Sequence, residues 1–277
     1  MTSRALLLSA AEELERAGCR SPQVDAEWLL AHVLGITRTD LYANGDRPLT
    51  AEEEQRFREL VSRRAAREPL AYVLGEWGFR RLTLQVDPRV LIPRPETESV
   101  VERCLELLAG RPEPRVLDIG VGSGAIALAI ADEHPGAVVL ATDDSAGALA
   151  VAEENRRRAG LTDRVELVQG ALFADLDGPF DLVVSNPPYV DRGEIEGLDP
   201  EVSRFEPREA LVARGATEAI AMEARPRLVA GGSLVLETGD GRAGTVAELL
   251  SSLGYQDVSI GHDLAGGERI VDGRTPR

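Results

Sequence analysis

The run Arg115-Val-Leu-Asp-Ile-Gly-Val-Gly-Ser-Gly124 narrows the possible folds more than any other part of the chain. An apolar stretch of strand length ends in glycines spaced G-x-G-x-G, and residues 125–132 beyond it read as a helix. A strand that passes through a glycine turn straight into a helix is the opening unit of an open α/β sheet. Gly120, Gly122 and Gly124, with Val121 and Ser123 between them, permit a tight turn. They also let a ligand come close to backbone N–H groups at the helix N-terminus. A lone loop of this kind is a weak signal whose first reading is a dinucleotide site. The spacing here, preceded by Asp118, is not the dinucleotide G-x-G-x-x-G. The next apolar run, Ala137-Val-Val-Leu-Ala-Thr142, ends in Asp143-Asp144. An acidic residue at that strand end is placed to bind ribose hydroxyls. That role is expected of Asp143, and Asp144 reads as a solvated residue before the helix that Ser145 caps.

From Arg115 onward apolar runs and helical stretches alternate, the pattern of a doubly wound sheet. Residues 165–169, 181–185 and 233–238 are expected as further strands, and 255–260 with 268–272 as a closing antiparallel pair. The N-terminal stretch is different. Leu6, Leu7, Ala10, Ala11, Leu14 and Ala17 make one face of a helix ended by Gly18. Ser21-Pro22 predicts a second helix, with Ser as N-cap and Pro at the first position, stopping near Gly35. Thr50-Ala-Glu-Glu53 has the capping-box spacing and opens a third, to about Ala66. Residues 77–93 predict a hairpin with Asp87-Pro88 near its turn, followed by a helix over 99–109. The expected organisation is a helical domain over 1–73, a β-hairpin linker over 74–93, and a Rossmann-like doubly wound domain over 94–277.

The most chemically specific segment is Asn186-Pro187-Pro188-Tyr189, which follows the apolar run Asp181-Leu-Val-Val-Ser185. It stands where a strand gives way to a loop, the ligand-binding edge of an open sheet. Neither proline has an N–H and both have φ fixed, so the segment is a stiff turn rich in acceptors. A planar NH₂ group has room to donate one hydrogen to the Asn186 side-chain oxygen and one to the Pro187 carbonyl, with its face on the Tyr189 ring. That suits an amide or an exocyclic base amine as substrate. The bland alternative, a proline-rich strand end, loses weight because the glycine loop stands upstream.

Composition sets limits on partners. The chain has 277 residues, 43% hydrophobic and 28% charged, ordinary for a globular protein with room for a large and a small domain. Its formal net charge of −16 argues against a long nucleic-acid backbone as the main partner. Cys19 and Cys104 have neither metal-knuckle nor disulfide spacing, which points to a reducing compartment. His32, His134 and His262 are scattered, and no metal is expected. No run approaches the ~20 apolar residues of a membrane span, so no membrane partner is expected and the protein reads as cytoplasmic.

With both motifs placed, the chain resembles the class I S-adenosylmethionine-dependent methyltransferases. More narrowly it resembles the peptide-chain release-factor glutamine methyltransferases. The likeness runs through Pro69-Leu-Ala-Tyr-Val-Leu-Gly-Glu-Trp77, Leu91-Ile-Pro-Arg-Pro-Glu-Thr-Glu98, Leu117-Asp-Ile-Gly-Val-Gly-Ser-Gly-Ala-Ile-Ala127 and Val184-Ser-Asn-Pro-Pro-Tyr-Val190. It continues in Arg204-Phe-Glu-Pro-Arg208 and Gly267-Glu-Arg-Ile-Val271. Asn-Pro-Pro-Tyr alone is shared with DNA adenine methyltransferases. The Ile-Pro-Arg-Pro-Glu-Thr-Glu segment joined to an N-terminal helical domain is far more specific to the glutamine enzymes. The resemblance implies methyl transfer from S-adenosylmethionine to the glutamine side-chain nitrogen of the release-factor Gly-Gly-Gln loop. It implies that Gly120 to Gly124 hold the methionine part of the cofactor, Asp143 its ribose, and Leu172 the adenine. Asn186 then lies between cofactor and substrate, and Asn186, Pro187, Pro188 and Tyr189 form the catalytic and substrate-binding turn. There are departures: Ala171 replaces a usual acidic residue, Asp144, Ala146 and Gly147 replace Ile, Pro and an acidic residue, and Glu237-Thr-Gly-Asp-Gly241 differs slightly. None removes a motif acceptor. The helical domain carries no chemical motif and is expected to dock the release factor, with a purely stabilising role as the alternative. Rival readings are a glutamine methyltransferase of a ribosomal protein, a nucleic-acid adenine methyltransferase, and a non-catalytic cofactor-binding module.

Overall fold

The computed structural model describes residues 2–43, 46–173, 176 and 178–277. It divides into two compact units: Met1–Gly75 together with Asp199–Phe205, and Glu76–Leu198 together with Glu206–Arg277.

The first unit is helical: α1 (Ser3–Arg16), α2 (Pro22–Leu34), α3 (Arg38–Ala43), α4 (Ala51–Ala65) and α5 (Leu70–Leu74). At α4 the capping box is complete, with Glu53 N–H donating to Thr50 Oγ1 and Thr50 N–H to the Glu53 carboxylate. At α2 Pro22 holds the first position, but Ser21 makes no side-chain cap bond; the far end closes on left-handed Gly35. The short α3 and α5 lie below the length at which a periodic face shows in sequence. Leu14, Leu29, Leu30, Phe57 and Val73 meet in the core. The segment 199–205, with its short helix Pro200–Phe205 (α9 in chain order), packs in this unit. Glu201 accepts from Arg67 Nε at 2.8 Å and pairs with Arg64 at 2.9 Å, while Arg64 Nε donates to Asp25 at 2.8 Å.

The second unit opens with the hairpin β1 (Glu76–Phe79) and β2 (Leu82–Gln85). Its turn is Arg80-Arg81, not Asp87-Pro88, which bends the chain again beyond β2. The hairpin is part of this unit and not a free-standing linker. Phe79 and Leu84 are buried in its core, and Asn155 grips Gln85 by both its N–H (2.6 Å) and its carbonyl (3.0 Å). A two-stranded ribbon needs such support. Then come α6 (Pro95–Leu108), β3 (Arg115–Ile119), α7 (Ala125–Glu133), β4 (Val138–Asp143), α8 (Ala146–Arg158), β5 (Val165–Gln169) and β6 (Phe180–Ser185). After α9 follow α10 (Ala216–Ala224), β7 (Leu228–Glu237), α11 (Ala243–Ser252), β8 (Gln256–His262) and β9 (Glu268–Arg274). Helix α6 starts at Pro95, earlier than expected, because proline suits the first helical position.

The seven strands from β3 on form one sheet in the order β5-β4-β3-β6-β7-β9-β8. All pairs from β5 to β7 are parallel, and β9 runs antiparallel to β7 and β8. Alternate residues serve opposite faces: Val116 joins the cluster of Leu128 and Ile130, while Leu117 joins that of Phe173, Phe180 and Leu250. This is the expected doubly wound α/β sheet, a class I methyltransferase architecture. Strand order reverses at β3, between β4 and β6, and a ligand crevice opens at the carboxyl ends of strands at such a reversal.

Candidate active site

Register brings the two motifs together. In the parallel pair of β3 and β6, Ile119 stands opposite Ser185. The next residues, Gly120 and Asn186, therefore leave the sheet side by side. Ser185 Oγ donates to the Ile119 carbonyl at 2.7 Å and locks that junction. On the other side Ile119 stands opposite Thr142, which places Asp143 one residue on. The Thr142 carbonyl accepts from both Gly120 N–H (2.9 Å) and Val121 N–H (2.8 Å).

Asp143 shapes the glycine loop from below. Its Oδ2 accepts from Gly122 N–H at 2.9 Å and its Oδ1 from Ser145 N–H at 3.0 Å. Burial pushes the carboxyl above its ordinary range, and those two backbone donors work against the rise. Gly122 has φ +54, and a Cβ placed there would meet no protein atom within 4 Å, so the glycine leaves open space beside the loop. Gly124 has φ +90 and a Cβ there would fall 2.8 Å from Leu128 Cδ1. That glycine serves the packing of α7. Beneath the loop the buried Asp118 accepts from Ala127 N–H at 3.0 Å, and burial pushes its carboxyl up to about 7.

A cavity of about 280 Å³ lies over this strand edge. Gly120, Val121, Gly122 and Ser123 line it, as do Asp143 and Leu172. Asn186, Pro187 and Pro188 form another part of the same wall. Leu172 holds φ +52, an uncommon conformation for a branched residue, and its carbonyl accepts from Thr142 Oγ1 at 3.3 Å. The Asn186 amide makes no hydrogen bond among the described residues. Gly124 and Tyr189 are not in the lining. The Tyr189 ring lies against Gly239, where a Cβ would fall 2.8 Å from its Cδ2. Burial, and after it the charge of Glu237, pushes the Tyr189 phenol up to about 12, so it stays neutral.

Sequence reasoning missed part of the wall. Ile92, Pro93, Arg94 and Thr97, around the start of α6, line the cavity, as do Pro207 and Val212. All but Val212 belong to two segments that carried the family likeness without a stated role. The spacing of those segments holds no sign that they converge. Among the described residues no group of three or more His, Cys, Asp or Glu is arranged for a metal, and no helix is long and apolar enough to cross a membrane.

Comparisons with known proteins identify the fold and the family. A family model described as the PrmC N-terminal domain matches residues 5–75, and one described as the methyltransferase small domain matches residues 101–198. Among solved structures, a methyltransferase from Pyrococcus furiosus superposes with a TM-score of 0.53 at 20% identity, over 71% of this chain and 90% of that one. The hMettl16 catalytic domain gives 0.57 at 19%, over 79% and 82%. These likenesses speak for the fold alone, and with the domain match they define a class I methyltransferase. The relatives by sequence are closer. A release factor glutamine methyltransferase of Geobacter sulfurreducens is 44% identical over 271 residues, covering 94% of this chain and 92% of that protein. One from Deinococcus radiodurans is 44% identical over 280 residues, 99% of each. The chain belongs to the release factor glutamine methyltransferase family.

Proposed function

We propose that the protein methylates the side-chain amide nitrogen of the glutamine in the Gly-Gly-Gln motif of peptide chain release factors, with S-adenosylmethionine as methyl donor. The observation that carries this reading is one cavity lined both by the glycine loop with Asp143 and Leu172 and by the acceptor turn Asn186-Pro187-Pro188. The open side of Gly122 and the carboxylate at the end of β4 fit a nucleoside-bearing cofactor. When bound, S-adenosylmethionine supplies a methyl group on a sulfonium, and loss of that methyl leaves a neutral thioether.

The chain's own residues solve a different problem. An amide nitrogen is a poor nucleophile because its lone pair is delocalised. The Asn186 oxygen and the Pro187 carbonyl each accept one amide hydrogen, which turns the lone pair toward the methyl group. Positioning of this kind contributes on the order of 7–11 kcal/mol in favourable intramolecular cases. The N–C bond forms as the S–C bond breaks, and the extra proton on nitrogen leaves to water. No side chain is required as general base. The helical unit is the docking surface: Val24 and Trp28, one turn apart on α2, are both exposed, at 40% and 42%. A loop glutamine offers few contacts of its own, so affinity must come from elsewhere on the partner. The acidic chain and its two buried free cysteines accord with a protein partner in the cytoplasm.

Transfer of labelled methyl from S-adenosylmethionine to purified release factors, with mapping of the modified residue, tests the reaction. Label on the Gly-Gly-Gln glutamine is expected; label elsewhere, or on nucleic acid, contradicts it. For docking, Trp28→Ala is expected to raise KM for intact release factor and to leave KM for a short Gly-Gly-Gln peptide unchanged. An equal change on both substrates favours the stabilising role.

A further inference from the structure

Two segments that carry the family likeness, around Arg94 and around Glu206, have no part in the reaction as derived above. The fold joins them. Arg94 Nη2 donates to both Glu206 carboxylate oxygens, at 2.6 and 2.7 Å. The Glu206 side chain is 1% exposed and Arg94 is its hydrogen-bonding partner; Arg94 itself lines the cavity. From Glu206 the chain passes through Pro207 and a helical turn (Arg208–Ala210) to Leu211. There the Leu211 carbonyl accepts from Val190 N–H at 2.9 Å, and Ala213 N–H donates to the Val190 carbonyl at 2.9 Å. Val190 is the residue directly after the acceptor turn.

We propose that the Arg94–Glu206 pair is a positioning device for the amide acceptors: it pins the start of the segment 206–213, and through Val190 sets the placement of Asn186 and Pro187 against the glycine loop. The proposal rests on the methyl-transfer reading above. A buried ion pair is a poor choice for stability alone, because desolvation offsets much of the attraction. Burial indeed pushes the Glu206 carboxyl up, against the pull of Arg94. What an ion pair adds over an apolar contact is direction: charge-assisted bonds fix a distance and an angle. Direction matters here, since a misplacement of about 1 Å at a reacting centre costs up to about a hundredfold in rate.

The test compares wild type, Glu206→Gln, Arg94→Gln and the double variant in single-turnover transfer to a Gly-Gly-Gln substrate at saturating S-adenosylmethionine. Competent sites are counted by titration with S-adenosylhomocysteine, so that misfolded protein does not enter the rate. Glu206→Gln is expected to lower the rate per competent site by about ten- to a hundredfold, with a far smaller change in substrate KM. The double variant should be no slower than the slower single, the signature of one shared device. Arg94→Lys, which keeps the charge, should recover part of the rate and stands in if Glu206→Gln does not fold. A rate per site within about twofold of wild type in Glu206→Gln makes the pair a mere staple and overturns the proposal. Losses that multiply in the double variant overturn it too, since Arg94 then acts on its own. A wild type that transfers no methyl group overturns the reaction reading together with the proposal; an active wild type beside an equally active variant overturns the proposal alone.

Discussion

Asn186 owes its place to its neighbours: Ser185 is hydrogen-bonded across to Ile119, and Pro187 and Pro188 stiffen the turn beyond. Asn186→Ala keeps that scaffold and removes one acceptor. The transfer rate should fall by the equivalent of roughly 2–4 kcal/mol in barrier, by analogy with a removed oxyanion donor, while the melting temperature stays nearly constant. Near wild-type turnover by the purified variant would exclude Asn186 as the amine acceptor. Asp118 supports a different experiment. Its folded-state carboxyl lies near 7 against an ordinary 3.8, and Glu237 is also pushed up to about 7 by burial. Between those values the folded chain keeps protons that the unfolded chain releases. Stability contributed by these groups is therefore greatest toward the acid side and falls as pH rises through the window to about 7. Denaturant midpoints measured between about pH 4.5 and pH 7.5 should show Asp118→Asn flattening that decline; an unchanged slope would refute the burial effect.

At the scale of elements, sequence spoke clearly wherever the signal was local. The capping box at Thr50, the left-handed glycine after α2 and the strand–glycine–helix unit at Arg115 all declare themselves within a few residues. It misled where a residue's role depends on something far along the chain. The packing of the Tyr189 ring against Gly239, on the loop after β7, is not legible in the motif itself. The hairpin looked like a linker, yet its place is set by Asn155, seventy positions on from Gln85. Asn155 does more than hold the hairpin. Its amide also donates to the Ser123 carbonyl at 2.8 Å, so one buried side chain on α8 fastens both β2 and the glycine loop. No motif marks such a residue. Asn155→Ala strands buried polar backbone and should cost about 1–3 kcal/mol by chemical denaturation. Calorimetry should show S-adenosylhomocysteine binding weakened in the same variant; full affinity would mean that the loop stands without Asn155.

For the whole molecule, fold class and the glycine and acceptor motifs were legible because each is continuous in sequence. The division of the chain was less so. A helical start followed by a sheet reads as two successive domains, but the first unit includes Asp199–Phe205, more than a hundred residues beyond its other members. Nothing in the composition of that segment announces the change; its partners Arg64, Arg67 and Arg20 lie in the helices and turns of the N-terminal part. The peptide chain therefore passes from one unit to the other three times.

That topology makes the helical part something other than a bead on a string. Cutting the chain once, after Gly75, leaves the piece bearing Glu201 still seated among Arg64, Arg67 and Asp25. Co-expressed fragments 1–75 and 76–277 should therefore purify together, and Glu201→Ala should weaken their association; separation of the unmodified fragments on a sizing column would disprove it. A lineage that exchanged its N-terminal part by recombination would inherit a socket without its plug. The N-terminal part and this internal segment are bound to change together, much as a lock and its key must be recut as a pair.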